Sequence, residues 1–208
     1  MTRSEIVYHK IKQKILDGDY ESNHKIKENE IAMQLNISST PVREAFQRLA
    51  AEGYVDYVPY KSTTIKDYNE DDICEAYWLY CAIHIQYISL AFKNLSESDL
   101  SDLIMTLFQG VHQIDSKEHI YRRIQPFFIQ LRKLVNSDVF NSCLRSTNAI
   151  TNLDKCIQIG KKIDQRELKK IYIVIIYALE EKNIELVENT FKDLTKLNIK
   201  YLKEMYQL

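Results

Sequence analysis

The chain has 208 residues, 45% of them hydrophobic and 27% charged, and 28 Lys and Arg against 29 Asp and Glu leave a net charge of −1. This length and balance fit a globular protein of one large or two small domains and exclude a disordered chain, a collagen-like repeat and a strongly basic tail. With four glycines and three prolines, the chain reads as mostly helix with short joints.

No apolar run approaches the roughly 20 residues that span a bilayer, and the start has no leader pattern. The expected location is the cytoplasm, with no membrane partner. The four cysteines, Cys74, Cys81, Cys143 and Cys156, contain no C-x-x-C pair, so zinc-ribbon and thioredoxin-like readings fail. Cys74 and Cys81 share a face of one predicted helix, but about 10 Å of axial rise forbids a direct bond between them. Glycine-rich phosphate loops, nucleophile elbows and paired-carboxylate settings are missing, so catalysis is not expected.

In chain order, residues 4 to 17 make the first helix, with Val7, Ile11 and Ile15 on one stripe and Gly18 at its end. Residues 21 to 27 read as a connector. From Glu30 to Tyr57 two short apolar-periodic segments, Ile31-Ala32-Leu35 and Val42-Phe46-Leu49, flank the polar turn Asn36-Ile37-Ser38-Ser39-Thr40. That is the pattern of a helix-turn-helix.

Thr40 is placed to cap the second helix, with Pro41 at its first position. Val42, Ala45, Phe46 and Leu49 recur at i, i+3, i+4 and i+7, which leaves Thr40, Arg43, Glu44 and Gln47 on the opposite face. Such a helix fits the major groove, where Arg can fork onto guanine and Gln onto adenine. The bland alternative is a helical hairpin whose polar face simply meets water. The next segment weighs against it: after Glu52-Gly53, two β-rich runs, Tyr54 to Val58 and Thr63 to Ile65, flank the tight turn Pro59 to Ser62. Two helices and then a hairpin make a winged helix.

The run Ile31-Ala32 to Leu35, then Ser38-x-Thr40-Pro41-Val42-Arg43-Glu44-Ala45, then Leu49-x-x-Glu52-Gly53 resembles the DNA-binding domain of GntR-family bacterial transcription regulators over roughly the first 66 residues. The resemblance implies that turn and recognition helix contact operator DNA and that the wing tip enters the minor groove. Candidate DNA-binding residues are then Lys27, Asn29, Ser38, Ser39, Thr40, Arg43, Gln47, Arg48 and Lys61. Two departures, Ser39 where the family has an arginine and a wing tip Tyr60-Lys61-Ser62 without glycine, point to an operator unlike the common family sequence. Residues 1 to 66 carry ten Lys and Arg against nine Asp and Glu, +1 in all. Positive charge for DNA must therefore be arranged locally by Lys12, Lys14, Lys25, Lys27, Arg43, Arg48 and Lys61, and two copies acting together should add affinity.

Asp67 to Asp71 is the one polar, acidic stretch before the pattern turns helical throughout, and Asn69 or Asp71 can cap the next helix. The expected domains are therefore a winged helix-turn-helix over 1–68 and an all-α six-helix bundle over 69–208. Helices are predicted near 70–94, 97–113, 117–136, 138–160, 164–181 and 183–206.

This order is similar to the FadR-type subgroup, whose C-terminal bundle (the FCD domain) binds a small effector and often a metal. The landmarks are Asp71-Asp72-Ile73 with Glu75 and Tyr77, Phe127 with Leu131, and Ala178-Leu179 with Asn183. The positions of that subgroup's metal ligands hold Ile124, Phe128, Tyr172 and Leu194, and Tyr80 and His84 replace its arginine and glutamate. No metal or other cofactor is therefore expected. An effector site of Tyr77, Tyr80, His84, Phe128 and Tyr172, beside Phe127, would suit a neutral aromatic or apolar molecule. The same side chains could equally be filled core. The functional expectation is a homodimeric repressor whose hold on double-stranded operator DNA is modulated by that effector. Alternatives are a thiol switch at Cys74 and Cys81, or a DNA-binding dimer with a collapsed, effector-free bundle.

Overall fold

The computed structural model describes residues 1–59, 61–113, 119–151 and 162–206. They divide into two compact units, Met1–Ile73 with the described part of Arg145–Ile157, and Cys74–Leu144 with the described part of Gln158–Leu208.

The first unit opens with α1 (Arg3–Leu16), whose start is closed by a reciprocal box: Glu5 N–H donates to Thr2 Oγ1 at 3.1 Å and Thr2 N–H to Glu5 Oε2 at 2.7 Å. Its stripe of Val7, Tyr8, Ile11 and Ile15 is buried, and α1 packs on α3 (Ser39–Ala51). Between them lies α2 (Glu28–Leu35), which ends on Asn36 in the left-handed region at φ 51°. Asparagine tolerates that conformation, and this sharp stop turns the chain toward α3.

Helix α3 starts earlier than the capping pattern predicts. Ser38, not Thr40, is the N-cap residue, and Pro41 sits inside the first turn, where a missing N–H leaves no intrahelical bond unmade. At the far end Gly53 takes φ 85°, with Tyr54 N–H returning to Leu49 C=O at 2.9 Å. A side chain would be strained there, so glycine ends the helix.

The wing consists of β2 (Val55–Asp56) and β3 (Thr63–Ile65), antiparallel with Val55 opposite Ile65. A third strand, β1 (Lys25–Ile26), pairs with β3, Lys25 opposite Thr64, giving the order β1-β3-β2. Residues 21 to 27 are thus more than a connector. Two residues with one buried side chain, Ile26, carry no legible alternation, which is why the sequence reading misses this strand.

In the second unit α4 (Glu70–Asn94) begins at a box in which Asp72 N–H donates to Asn69 Oδ1 and Asn69 N–H to Asp72 Oδ2. Helix α5 (Glu97–His112) is capped by Ser96. The single helix predicted over 117–136 is two: α6 (Ile120–Arg123) and α7 (Gln125–Val135), broken at Ile124. Pro126 has no N–H for the carbonyl of Arg122, so the helix cannot run through. Then come α8 (Asp138–Thr151), α9 (Gln165–Glu180), capped by Asp164, and α10 (Ile184–Tyr206). The remainder of the helix predicted over 138–160 lies outside the described residues.

Helix α5 packs on α7 and α9, and α9 on α10. Gly110 sets one of these crossings: a Cβ there would lie 2.6 Å from the backbone oxygen of Arg123. Only glycine lets α5 and α6 approach so closely. Seven helices rather than six therefore follow the wing among the described residues, the extra one being the single turn α6.

Candidate nucleic-acid interface

Four side chains seat α3 on the core: Val42, Ala45, Phe46 and Leu49 are fully buried. By periodicity the opposite face points outward, and Ser38, Thr40, Gln47 and Arg48 are exposed while Ser39 and Arg43 are half-buried. The Ser38 hydroxyl makes no capping bond. The N–H groups of the first turn and the positive end of the helix dipole are thus presented outward, which favours a phosphate.

Arg43 is held in place. Its Nε donates to Glu28 Oε2 at 2.7 Å, and Tyr57 Oη donates to the other carboxylate oxygen at 3.1 Å. The Glu28 side chain is only 9% exposed, against 39% for Arg43. A carboxylate taken out of water needs such donors, and here they tie α2 and the wing to the recognition helix.

Arg48 is engaged differently. Its guanidinium lies 3.8 Å from the Tyr8 ring centre, and its Nε reaches Glu52 Oε1 at 3.3 Å. Glu52 Oε2 also accepts from Tyr8 Oη at 2.6 Å and from Lys12 Nζ at 2.8 Å. Burial raises the Glu52 carboxyl, but hydrogen bonds from Lys12 and Tyr8 outweigh it and hold the group below its ordinary value. Burial, reinforced by the bond to Glu52, pushes the Tyr8 phenol up. This network fastens α1 to the end of α3, so Lys12 and Arg48 belong first to the domain's own structure.

The other candidates lie apart. Asn29 and Lys27 are exposed on and before the first turn of α2, Lys27 paired with Glu30 at 2.9 Å. Lys61 is exposed in the wing turn, and Lys14 lies over the Tyr20 ring. Tyr60, also of the wing tip, lies outside the described residues. Sequence reasoning missed Glu28, Tyr57, Glu52 and Tyr8. Their only signal in the sequence is charge and aromatic type.

In the second unit three of the five effector candidates meet. The His84 ring centre lies 4.0 Å from that of Tyr80 and 4.7 Å from that of Phe128. Tyr172 packs instead near Tyr121, 6.5 Å between centres, and Tyr77 is half-buried on α4. His84 is fully buried, and its Nδ1 donates to the Tyr80 carbonyl at 2.8 Å. Its Nε2 is then an acceptor, buried and with no hydrogen-bond partner among the described residues. Burial, which the bond to Tyr80 only partly offsets, lowers the His84 pKa to about 3, so the ring is neutral at ordinary pH.

Ile124, Phe128, Tyr172 and Leu194 are all buried. Three of them have no donor atom, and burial pushes the Tyr172 phenol well up, away from phenolate. A metal of the FadR-type kind does not fit this set. Among the described residues no three His, Cys, Asp or Glu cluster as ligands. Cys81 is buried and its thiol pushed up by that burial, the opposite of a reactive thiolate. Cys74 is half-buried, and Cys156 lies outside the described residues. Among the described residues no helix is long and apolar enough to cross a membrane.

Residues 3–65 match the family model described as bacterial regulatory proteins, gntR family. Over 180 residues the chain is 22% identical to the HTH-type transcriptional regulator McbR of Escherichia coli (strain K12), covering 85% of this chain and 81% of that one. A 51-residue stretch is 45% identical to a probable D-xylose utilization operon transcriptional repressor of Paenarthrobacter nicotinovorans, 24% of this chain and 23% of that protein. The solved structure of E. coli McbR/YncC superposes with a TM-score of 0.73 at 20% identity and covers 99% of both chains. At that identity the likeness speaks to the fold, a small winged head and a helical unit. The first unit is thus similar to the gntR family of bacterial regulatory proteins, and the chain over most of its length is similar to an HTH-type transcriptional regulator.

Proposed function

We propose that the chain is a homodimeric, cytoplasmic repressor that reads a two-fold symmetric operator, one half-site per head. What supports this most directly is the outward face of α3. Thr40 and Gln47 are exposed along it, Arg43 is braced by Glu28, and an unspent N-cap leads it. In this reading Arg43 and Gln47 contact base edges, while Ser38, Ser39, Thr40, Asn29, Lys27 and Lys61 contact backbone phosphates. Arg48 lends charge at the margin while bound to Glu52. The probable repressor of P. nicotinovorans matches 51 residues of this chain, which supports the repressor reading by analogy. An electrophoretic shift with a palindromic duplex is the test. Arg43→Ala should lose the retarded band, and retention at wild-type strength would overturn the assignment of α3.

The helical unit is proposed to bind a neutral aromatic or apolar effector beside Tyr77, Tyr80, His84, Phe128 and Tyr172. The unpartnered His84 Nε2 supports this, because a buried acceptor is stabilised by a ligand donor such as a hydroxyl or N–H. The effector would act by preferring one packing of the bundle and so shifting the population of heads able to bind. A second reading, a bundle without effector, draws on the buried Ile124 and Leu194, which fill the space that ligand side chains would use. Thermal shift against small molecules separates the two, since a specific ligand must raise the melting temperature. No shift with any neutral aromatic compound would favour the second.

A further inference from the structure

The outward stripe of α9 is Lys170, Ile173, Tyr177 and Glu180, spaced three, four and three residues apart along about three turns of helix. Such spacing keeps a stripe on one side of a helix and is the seam spacing of paired helices. Ile173 is 43% and Tyr177 55% exposed, and Lys170 and Glu180 are also exposed. Neither charge has an ion-pair partner among the described residues. Large apolar side chains flanked by unpaired charges are what a partner surface requires.

The order of these residues says which partner. Lys170 and Glu180 stand at equal distances on either side of position 175, about 7.5 Å along the axis each way, and Ile173 and Tyr177 stand at equal, shorter distances. Lys169 and the cap residue Glu181 repeat the arrangement one step further out. A stripe with opposite charges at mirrored positions and apolar residues between them complements itself when reversed. An isologous contact demands this, because each residue must meet its mirrored counterpart on the other copy.

We propose that α9 is the helix through which two copies of this chain pair, antiparallel across a two-fold axis beside Ile175. Lys170 of each copy meets the partner's Glu180, and Ile173 meets the partner's Tyr177. The proposal rests on the homodimeric reading above and adds the surface that builds it. A second exposed apolar pair, Trp78 and Leu79 on α4, lacks this property. Its outward neighbours on α4, Glu75, Ala82 and Gln86, set no opposite charges at mirrored positions, and the lysines beside Trp78, Lys196, Lys200 and Lys203, stand on α10 instead.

Sedimentation velocity on the full chain tests it with Lys170→Glu and Glu180→Lys, each alone and then mixed. Each single variant sets like charges opposite each other twice and should weaken the dimer roughly tenfold or more. An equimolar mixture turns both contacts back into opposite pairs and should restore a heterodimer of near wild-type strength. Both sites are exposed on a helix, so circular dichroism should be unchanged, and Leu79→Glu should dimerise like the wild type. Single variants that dimerise normally, or a mixture that recovers nothing, would overturn the α9 surface while leaving the dimer standing. A wild type that stays monomeric at every concentration would remove the dimeric reading and this one together.

Discussion

Arg43 Nε donates to the buried carboxylate of Glu28 at 2.7 Å, so the side chain expected to read DNA is aimed by a residue fifteen positions earlier, on the first turn of α2. Glu28 lowers the positive charge of the head and yet holds Arg43 in one place. Simple charge counting and pre-organisation therefore make opposite predictions for its removal.

Glu28→Ala adds one net positive charge and takes this acceptor away from both Tyr57 Oη and Arg43 Nε. The expected loss is roughly 1–3 kcal/mol in stability, the usual cost of stripping a half-buried hydrogen-bonded network, read from urea unfolding. Binding to the selected operator should weaken, and binding to unrelated duplex should stay equal or strengthen, in fluorescence anisotropy. Operator affinity that rises along with non-specific affinity would show that charge, not aiming, is what matters at this position.

Neighbouring residues on α3 should separate in the same assays. Gln47 is exposed, with no hydrogen bond among the described residues to lose, so Gln47→Ala should cost about 1–3 kcal/mol of discrimination at one base pair with little change in stability. Arg48 stacks on Tyr8 and bonds Glu52. Arg48→Ala should lower stability by about 1 kcal/mol and weaken all duplexes alike.

These cases also show where the sequence was legible. The faces of α1 and α3 follow from periodicity because Val7, Ile11 and Ile15 on α1 and Val42, Ala45, Phe46 and Leu49 on α3 recur at helical spacing, all buried in the fold. The start of α4 was readable because Asn69 and Asp72 are three residues apart and close a local box. Glu28 with Arg43, and Tyr8 with Glu52, were not, because their partners lie 15 and 44 residues away and no local pattern marks such a pair. Strand β1 is too short to show alternation. Thr40 fits the cap of α3 by sequence because it precedes a proline, but Ser38 holds that position and the proline is absorbed in the first turn. In the second unit the residue types around His84 were legible, and the unpartnered Nε2 was not, since it depends on what surrounds the ring on every side.

Acid should act first through His84. Its folded pKa, about 3, lies below the ordinary 6.5, so the unfolded chain takes up a proton that the folded chain refuses. Stability is then full above pH 6.5 and declines as pH falls from there toward 3. Between pH 7.5 and 5 the urea midpoint of the wild type should fall more than that of His84→Leu. Parallel falls would mean that the imidazole is not shielded as described.

Glu52 should govern a lower window. Its folded pKa is held below the ordinary 4.5, so its contribution is present above that value and is lost as pH drops through the folded pKa. The stability gap between wild type and Glu52→Gln should be widest near neutral pH and close below about pH 4.5. A gap that is constant down to pH 3 would detach the carboxylate from the Lys12 and Tyr8 network.

The central claim is that the exposed face of α3 meets base edges of duplex DNA in two symmetric copies. The most direct test selects duplexes from a random pool with purified protein, then measures affinity for the winner over a salt series. The predicted result is a palindrome with half-sites about one helical turn apart or a multiple of it, affinity falling steeply with salt, and loss of sequence preference in Arg43→Ala. Selection that converges on no two-fold symmetric sequence, or a preference that survives Arg43→Ala unchanged, would contradict it.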